Sequence, residues 1–597
     1  MKKRMRVLSI LLAVVMVMSL TACGGTTGGT TDTGNTGTTT TSSAKTDTAK
    51  TDTAKTDTAK TETTTPATDN GASEADENTN TLSGVIYGSP EEILSRDYSE
   101  HMKLEYAGIQ LVDGFDYTAG NEYLKWWSDT FNIEWDVTSL TFENWTQRMN
   151  TWLNADDIPE WCVWNFNAGD IINYAEQDII KRMPDDWKER WPNLAASQTA
   201  DLVPYADYYD NLLGGTYVFF RPVMGRNFPA QNGVTTHMGV HLRRDWAEQV
   251  GFDLSECDAK GTITLDQIMD YCRKVKEAGI VEYPFVGTTG HFMNLADMNS
   301  DHTGMLQSAY YVGDDGLYHW GPAEAENHIK DNLTKLKTMY DEGLVYPDFY
   351  TILNDDDQPY FNTSGQAAVI FGNGMPRFFD ECGRVMPENL GVDYYEVGAF
   401  YSLVDENNVY HADKSANFFA TNILSPYISD DHFERLMSMW DYSCTKEGQD
   451  RIRMGVRGVD FDYDENGELV NLLADTFGSI SAKYNEVNSF RIYHTMVICS
   501  DDFGLINPAF DPRAREISIH GYMVRDEIGT HKDRDFDFDL ASYSSQAMNL
   551  ATMTYTDEYA NLVTKAGDFS ANYDQWVQEK LQLVQPVLDE LNAKFRQ

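Results

Sequence analysis

Residues 24–81 are the feature that most restricts where this chain can fold. They contain almost no hydrophobic side chains and consist mainly of Thr, Asp, Gly, Ala and Lys, with the pentapeptide K-T-D-T-A repeated from Lys45 to Ala59. Such a composition cannot bury enough apolar surface to offset the conformational entropy that folding removes. The sequence therefore predicts a disordered tether here, and a folded part made from the about 515 residues that follow, enough for two or more lobes.

The segment before the tether is typical of a secretory signal. Four basic residues within the first six positions precede an apolar run from Val7 to Leu20, which is shorter than the about 20 residues that a membrane-spanning helix needs. The following Leu20-Thr21-Ala22-Cys23 resembles the bacterial lipobox. That resemblance implies cleavage after residue 22 and double acylation of Cys23, palmitate included, which would hold the protein on the outer face of the cell membrane. An ordinary cleavage site that contains a cysteine is the alternative.

Charge and cysteine spacing narrow the classes of partner. The formal charge of −47 argues against nucleic acid, whose binding depends on clustered Lys and Arg. It also disfavours strongly anionic ligands, although a local basic pocket could override the mean field. Beyond Cys23, the six remaining cysteines show no C-x-x-C spacing, so we expect no metal centre and no cofactor. Buried thiols are the default interpretation, and any disulfide pairing stays open.

Hydrophobic periodicity after the tether alternates between strand and helix. Alternation at Lys103–Ile109 and Ile133–Thr138, helical spacing at Tyr123–Phe131 and Trp145–Leu153, and the short apolar run Trp161–Trp164 give β-α-β-α-β. That order is typical of a parallel sheet with crossover helices. Further on, the pattern predicts two helices ending at Gly279 and Gly343, a buried strand at 367–371, and a C-terminal helix that Pro586 should kink or split.

Several segments together resemble the extracellular solute-binding proteins of ABC importers, family 1, in their long Gram-positive lipoprotein branch. Each is weak alone, but their order and spacing cover nearly all of residues 100–597. They are D-D-I-P-E-W-C-V-W, G-G-T-Y-V-F-F-R-P at 214–222, H-L-R-R-D-W-A-E-Q-V-G-F at 241–252, I-T-L-D-Q-I-M-D at 263–270, L-K-T-M-Y-D-E-G-L-V-Y-P-D-F at 336–349, S-G-Q-A-A-V-I at 364–370 and C-T-K-E-G-Q at 444–449.

The resemblance implies an α/β, two-lobed periplasmic-binding-protein-like fold of class II, with parallel-type sheets flanked by helices and a hinged ligand cleft between the lobes. It implies a monomeric, non-enzymatic substrate-binding lipoprotein that captures an oligosaccharide and delivers it to the permease subunits in the membrane. The implied segments are a signal peptide at 1–22, the lipidated cysteine and tether at 23–81, lobe 1 at 82–220 plus 412–500, and lobe 2 at 221–411 plus 501–597.

Ligands of open α/β sheets bind beyond the carboxyl ends of the strands, so residues just after each predicted strand are candidates. A sugar offers an apolar face and a rim of hydroxyl groups, which suit a flat ring beside amides, carboxylates or guanidinium. In the first lobe these candidates are Asp113, Trp164, Asn165, Asn167 and Arg221. Trp164 also matches a cleft aromatic of maltodextrin-binding relatives. The alternatives are a core tryptophan, a turn aspartate and a structural salt bridge for Arg221.

In the second lobe, the candidates at the ends of predicted strands are His291, Phe292, Asn373 and Phe378. Sugar-binding relatives often carry a Trp beside the Asn-Gly step, whereas this chain has Met375 and Pro376. That departure weakens a maltose-like site specifically.

The acidic segment 460–469 resembles a calcium loop, but Leu473 stands where the loop requires a bidentate acid. Its Asn466-Gly467 step predicts a β-hairpin instead.

Two other function classes remain open. An exported glycoside hydrolase needs two carboxylates about the scissile bond, which 93 acidic residues neither support nor exclude. A binder of the same fold could take a peptide or another nutrient. Motifs for a serine-hydrolase elbow, a zinc protease or a phosphate-binding loop are absent from the sequence.

Overall fold

The structure is a computed structural model of the whole chain. It describes residues 79–80, 85–86, 89–109, 111–112, 114–141, 145–155, 157–164, 168–199, 204–222, 237–353, 356–411, 418–473, 476, 483–484, 491–494, 505, 510–529, 537–541, 543 and 554–596. The chain separates into two compact units, Met1–Glu74 and Ala75–Gln597, and all of the described residues belong to the second. The predicted signal, Cys23 and nearly all of the predicted tether lie outside the described residues.

The strands follow in chain order. They are β1 (Thr79–Asn80), β2 (Val85–Ile86), β3 (Met102–Ile109), β4 (Ile133–Leu140), β5 (Trp161–Trp164), β6 (Val218–Pro222), β7 (Met238–Arg243), β8 (Thr262–Thr264), β9 (Tyr310–Val312), β10 (Tyr318–Trp320), β11 (Val369–Asn373), β12 (Gly398–Val404), β13 (Phe418–Leu424), β14 (Phe461–Tyr463) and β15 (Leu469–Asn471).

The helices up to the middle of the chain are α1 (Pro90–Leu94), α2 (Glu122–Phe131), α3 (Trp145–Ala155), α4 (Ala168–Glu176), α5 (Trp187–Arg190), α6 (Pro192–Ser197), α7 (Pro204–Leu213), α8 (Arg244–Val250), α9 (Ser255–Lys260), α10 (Leu265–Glu277), α11 (Thr289–Asp297) and α12 (Ile329–Asp341). They continue with α13 (Gln358–Asn362), α14 (Pro376–Leu390), α15 (Tyr394–Val397), α16 (Asp430–Ser443), α17 (Lys446–Met454), α18 (Arg491–His494), α19 (Pro512–Ile528), α20 (Phe538–Ala541), α21 (Thr556–Thr564) and α22 (Phe569–Phe595).

The first sheet has the strand order β4-β3-β5-β13-β6. Strand β3 pairs in parallel with both β4 and β5, and helices α2 and α3 connect these three strands. The predicted β-α-β-α-β unit is therefore confirmed. Strand β13 is antiparallel to its neighbours β5 and β6, so that the carboxyl ends of β3, β4, β5 and β6 lie at one edge of the sheet.

The second sheet has the order β11-β7-β12-β8. Strand β7 is antiparallel to β11 and β12, whereas β12 and β8 are parallel. Both sheets are consequently mixed, and the parallel arrangement expected from the sequence holds only for strands joined by helices. Strands β7 and β13 run the opposite way because the chain reaches each of them from the other sheet.

Each sheet has its own hydrophobic core. The first core joins residues 93–220 with 420–493, and the second core, with a satellite cluster beside it, joins 240–410 with 514–591. The chain therefore passes between the cores three times, after residues 222, 411 and 494. The described elements form two lobes, and the last residues of β6 lie in the first sheet, beyond the boundary expected at 220. The exact lobe boundaries stay a prediction.

Local sequence signals explain where the predicted helices begin and end. At the start of α10, the Thr264 side chain accepts a hydrogen bond from the Gln267 amide, and the Gln267 side chain accepts one from the Thr264 amide. This reciprocal cap satisfies two amides that an α-helix leaves without a partner. Gly279 and Gly343 follow α10 and α12 with φ of +68° and +63°, so both predicted glycine stops are confirmed.

Two further predictions near the C-terminal half have mixed outcomes. Strands β14 and β15 pair in antiparallel register around Gly467, whose φ is +80°, which confirms the hairpin. Helix α22 contains Pro586 but continues for 27 residues, so the proline does not split it. Val584, Val587 and Leu591 are fully buried on either side of the proline, and this packing holds the helix together across the missing amide hydrogen bond.

The five described cysteines beyond the tether are free and buried; they are Cys162, Cys257, Cys272, Cys382 and Cys444. None of the helices within the described ranges is long and apolar enough to span a bilayer.

Candidate functional site

The crossing edge of the first sheet, which we define by the ends of β5, β6 and β13, brings together residues far apart in sequence. Thr421 lies opposite Trp164 and Phe220, and Phe418 lies opposite Pro222. The Thr421 hydroxyl donates a hydrogen bond of 2.7 Å to the carbonyl oxygen of Trp164. The chain leaves this sheet after β6 and returns to it at β13. The crossing edge is the one at which the sheet rule places a ligand.

Trp164 is almost completely buried at this edge, with 2% of its surface exposed. Its ring stacks on the ring of Trp145, with centroids 5.2 Å apart and an interplanar angle of 26°. Trp145 is only partly buried and stands at the first turn of α3, after β4. Burial therefore favours the core role of Trp164 that the sequence left open, and Trp145 offers the accessible ring of the pair. The rule that examines strand ends could have found Trp145.

Arg221 lies inside β6 rather than after it, and 6% of its surface is exposed. It belongs to the same edge as Trp164, with its guanidinium group buried. Ligand contact by Arg221 stays a prediction. Asp113, Asn165 and Asn167, the other predicted contacts in this lobe, lie outside the described residues.

The crossing edge of the second sheet is formed by the start of β7 and the end of β11. Asn373 pairs with Met238, and the Gly374 amide donates to the carbonyl oxygen of His237 at 2.7 Å. The Asn373 side chain accepts a hydrogen bond of 2.7 Å from the Met375 amide, which makes it a turn residue as well as a predicted contact. The chain enters the second lobe at this edge, as it leaves the first lobe at the other.

A neutral histidine lies directly beneath this edge. His241 is fully buried, and the distance from its Nε2 to the carbonyl oxygen of Asn373 is 3.0 Å. Burial lowers the pKa of His241 to about 3, so its imidazole is uncharged at physiological pH. The ring packs against those of Phe378 and Phe400, with centroids 4.3 and 4.8 Å away.

Two predicted contacts in the second lobe prove to be core residues. Phe292 is fully buried and packs against Phe285 and Phe349, with centroids 5.7 and 5.1 Å away. Phe378 is 3% exposed and packs on His241 under the sheet. Their positions after predicted strands are correct, but each lies in the first turn of a helix and points into the lobe. Packing covers most of their surfaces, and ligand contact by either residue stays a prediction.

His291 precedes Phe292 in α11 and points differently, because successive helical residues are rotated by about 100°. The side chain of Thr288 caps the helix by accepting from the His291 amide at 3.1 Å. The imidazole Nδ1 lies 2.5 Å from Oδ2 of Asp357, whose side chain is 1% exposed. Sequence reasoning missed Asp357 because it ends an acidic run, Asp355-Asp356-Asp357, in which nothing marks one residue for burial.

The two crossing edges thus carry an accessible indole, a buried guanidinium group, an amide and an imidazole. Such groups can stack on an apolar face and donate or accept hydrogen bonds around it. Within the described ranges, no group of three or more His, Cys, Asp or Glu side chains is arranged to hold a metal ion.

This architecture is that of the two-lobed solute-binding proteins. The alginate-binding protein AlgQ2 superimposes with a TM-score of 0.59 and 13% identity, covering 83% of this chain and 98% of that protein. An HMO-binding, ABC-transporter-associated solute-binding protein of Bifidobacterium longum infantis gives 0.56 and 12%, with coverage of 82% and 97%. FusA, an ABC-transporter substrate-binding protein of S. pneumoniae in complex with kestose, gives 0.56 and 13%, with coverage of 82% and 99%.

No family model matches the sequence, and no curated protein matches it significantly. The structural likeness extends over nearly the whole length of each neighbour, which establishes the fold. The chain therefore has the two-lobed solute-binding fold that its motifs implied.

Proposed function

We propose that this protein is the substrate-binding component of an ABC importer, that it captures an oligosaccharide between its lobes, and that it delivers the sugar to permease subunits in the membrane. The observation that carries this proposal is the pair of crossing edges. Each lobe has its own core, the chain passes between them three times, and aromatic, amide and imidazole groups stand where the passages begin. Solved proteins of the same fold include binders of alginate, HMO and kestose.

A role in ligand binding without catalysis accounts best for the groups at these edges. A glycosidase needs one carboxyl group to donate a proton and a second to act as nucleophile or base. Asp357 is the buried carboxylate beside the second edge, and its Oδ2 is occupied by His291. The neighbours of the same fold are binding proteins, which supports a non-enzymatic role.

Attachment to the membrane is the second part of the proposal. The basic and apolar start of the chain and the L-T-A-C step support lipidation of Cys23, and the polar composition of residues 24–81 supports a solvated tether. A monomer held in this way could meet its permease while its cleft remains accessible. We expect Cys23→Ser to move the protein from the membrane fraction to the soluble fraction. Retention of the variant in the membrane would contradict lipidation at this residue.

A ligand panel tests the sugar-binding proposal directly. A ligand that binds only the folded state stabilises it by about 2.7 kcal/mol at 100 times its Kd. We therefore expect kestose or a neutral HMO to raise the melting temperature of the purified full chain. A pool of tripeptides at the same concentration is the control. A shift with peptides alone would indicate a binder of another nutrient, and the release of new reducing ends would indicate hydrolysis.

A further inference from the structure

The pair formed by His291 and Asp357 combines a buried acid with an accessible base at the second crossing edge. The Asp357 side chain is 1% exposed, whereas that of His291 is 14% exposed. One carboxylate oxygen, Oδ2, lies 2.5 Å from Nδ1 of the imidazole, and the other, Oδ1, has no hydrogen-bond partner within the described part of the chain. The carboxylate is therefore directed at a single group, the imidazole.

A carboxylate that is removed from water costs several kcal/mol unless a partner compensates it. The contact with His291 is the compensation that the described residues provide for Asp357. The hydrogen bond keeps a proton on Nδ1 and fixes the plane of the ring, while the Thr288 cap fixes the backbone of the same residue. Both constraints leave the second ring nitrogen, Nε2, in one position.

The position of Nε2 matters because of where the ring stands. The His291 ring lies 6.5 Å from that of Phe371, near the end of β11 and two residues before Asn373. No hydrogen bond within the described ranges occupies Nε2. Nε2 can therefore form a hydrogen bond with a hydroxyl group of a sugar, which can both donate and accept.

We propose that Asp357 is a positioning residue of the ligand site, which orients His291 so that Nε2 binds a hydroxyl group of the captured oligosaccharide. This inference rests on the proposed function and deepens it, because it assigns one hydrogen-bonding group of the second lobe to a hydroxylated ligand. The equivalent relation in metal and catalytic sites, in which a carboxylate orients a histidine through its other nitrogen, has the same physical basis.

The chain offers a matched control for this pair. His432 and Glu160 form a second His–carboxylate contact, with 2.7 Å between Nδ1 and Oε1. Glu160 belongs to the first lobe and precedes β5, so it lies at the edge of the first sheet opposite to its crossing edge. Glu160→Gln weakens a contact of the same chemistry without touching either crossing edge.

Two substitutions separate orientation from packing. In His291→Asn, the amide nitrogen takes the place of Nδ1 and can still donate to Asp357, but Nε2 is lost. In Asp357→Asn, the imidazole remains but the charge that fixes it is removed. We expect both to raise the Kd for kestose or a neutral HMO by roughly 5- to 100-fold, which corresponds to one hydrogen bond lost in a buried site. Wild type and Glu160→Gln should bind equally.

Nitrogen-15 spectra of the histidine rings in the full chain give a readout that packing alone would not change. We expect the wild-type His291 signal, assigned by its loss in His291→Asn, to show a proton on Nδ1 and to shift at Nε2 when one of these sugars binds. Asp357→Asn should alter the proton distribution even without sugar. Unchanged affinity in His291→Asn, or an unchanged ring signal in Asp357→Asn, overturns this inference alone. Absence of binding by the wild-type protein overturns the proposed function and this inference together.

Discussion

Replacing Trp164 by alanine distinguishes a core role from a ligand-contact role. Loss of a core residue lowers the stability of the ligand-free protein, whereas loss of a ligand contact lowers affinity and leaves that stability nearly unchanged. The ring is 2% exposed, lies opposite Thr421 in the first sheet and stacks on Trp145. Truncation of a buried tryptophan to alanine removes its transfer free energy and leaves a cavity, at a cost of about 3–5 kcal/mol. The stack with Trp145 places Trp164→Ala within that range rather than below it.

This cost converts into a change of melting temperature. For a folding unit of about 200 residues, each kcal/mol lowers the melting temperature by about 2–4 °C, so we expect a fall of about 6–20 °C in the transition of the first lobe. Differential scanning calorimetry of the ligand-free full chain measures it. Leu472→Ala is the control, because Leu472 is a large apolar residue of the same lobe that is 44% exposed and should change stability by about 0.5 kcal/mol or less.

The opposite result would refute the argument from burial. If Trp164→Ala melted within about 2 °C of wild type, which is less than 1 kcal/mol of destabilisation, and at the same time lost sugar binding, Trp164 would be a contact residue. Trp145→Ala completes the comparison. We expect removal of this partly buried ring to lower stability less than Trp164→Ala does and to weaken sugar binding more.

Three further predictions follow from single contacts. Burial alone would lower the pKa of His411, but the carboxylates of Asp301 and Asp405, 2.9 and 3.2 Å from its ring nitrogens, outweigh burial and raise the pKa above its ordinary value. The stability that the charged His411 contributes is therefore complete below pH of about 6.5 and is lost as the pH rises through the raised pKa. We expect the urea midpoint of unfolding to fall less steeply between pH 5 and 9 in His411→Gln than in the wild type. Parallel curves for the two proteins would contradict this. Gly304→Ala should destabilise the folded protein by about 2–5 kcal/mol, because at a φ of +76° the added Cβ would lie 2.5 Å from a tyrosine ring. The control Gly391→Ala has a similar φ of +70° but places its Cβ in open space, so it should cost about 1–2 kcal/mol in the same urea assay. The buried cysteines should resist alkylation in the native protein and react after denaturation, and mass spectrometry can count the alkyl groups added in each state. Rapid labelling of Cys162 or Cys444 in the native state would contradict their burial.

Periodicity predicts the elements of the first lobe well because the responsible patterns are local. The predicted strands and helices from β3 to β5 agree with the structure within about two residues, since each buries a face that its own spacing defines. The glycine stops after α10 and α12 and the hairpin around Gly467 agree for the same reason, because backbone conformation at those positions depends on one or two residues.

The candidate site is less predictable because position after a strand does not fix the direction of a side chain. His291 and Phe292 are adjacent in sequence, yet the first reaches the edge of the sheet and the second fills the core. Phe378 likewise follows a strand and is buried in packing. Asp357 carries no signal at all, since burial of one acid in a run of three is decided by which elements pack around it.

The sequence by itself determined that the chain would have an α/β fold and where most of its elements begin and end, because periodicity and capping act over a few residues. Tertiary structure alone decided which strands are antiparallel, which aromatic rings are buried and which acid meets His291. Those outcomes depend on contacts between residues far apart in sequence, 66 positions for His291 with Asp357 and 257 for Thr421 with Trp164, which local patterns do not specify.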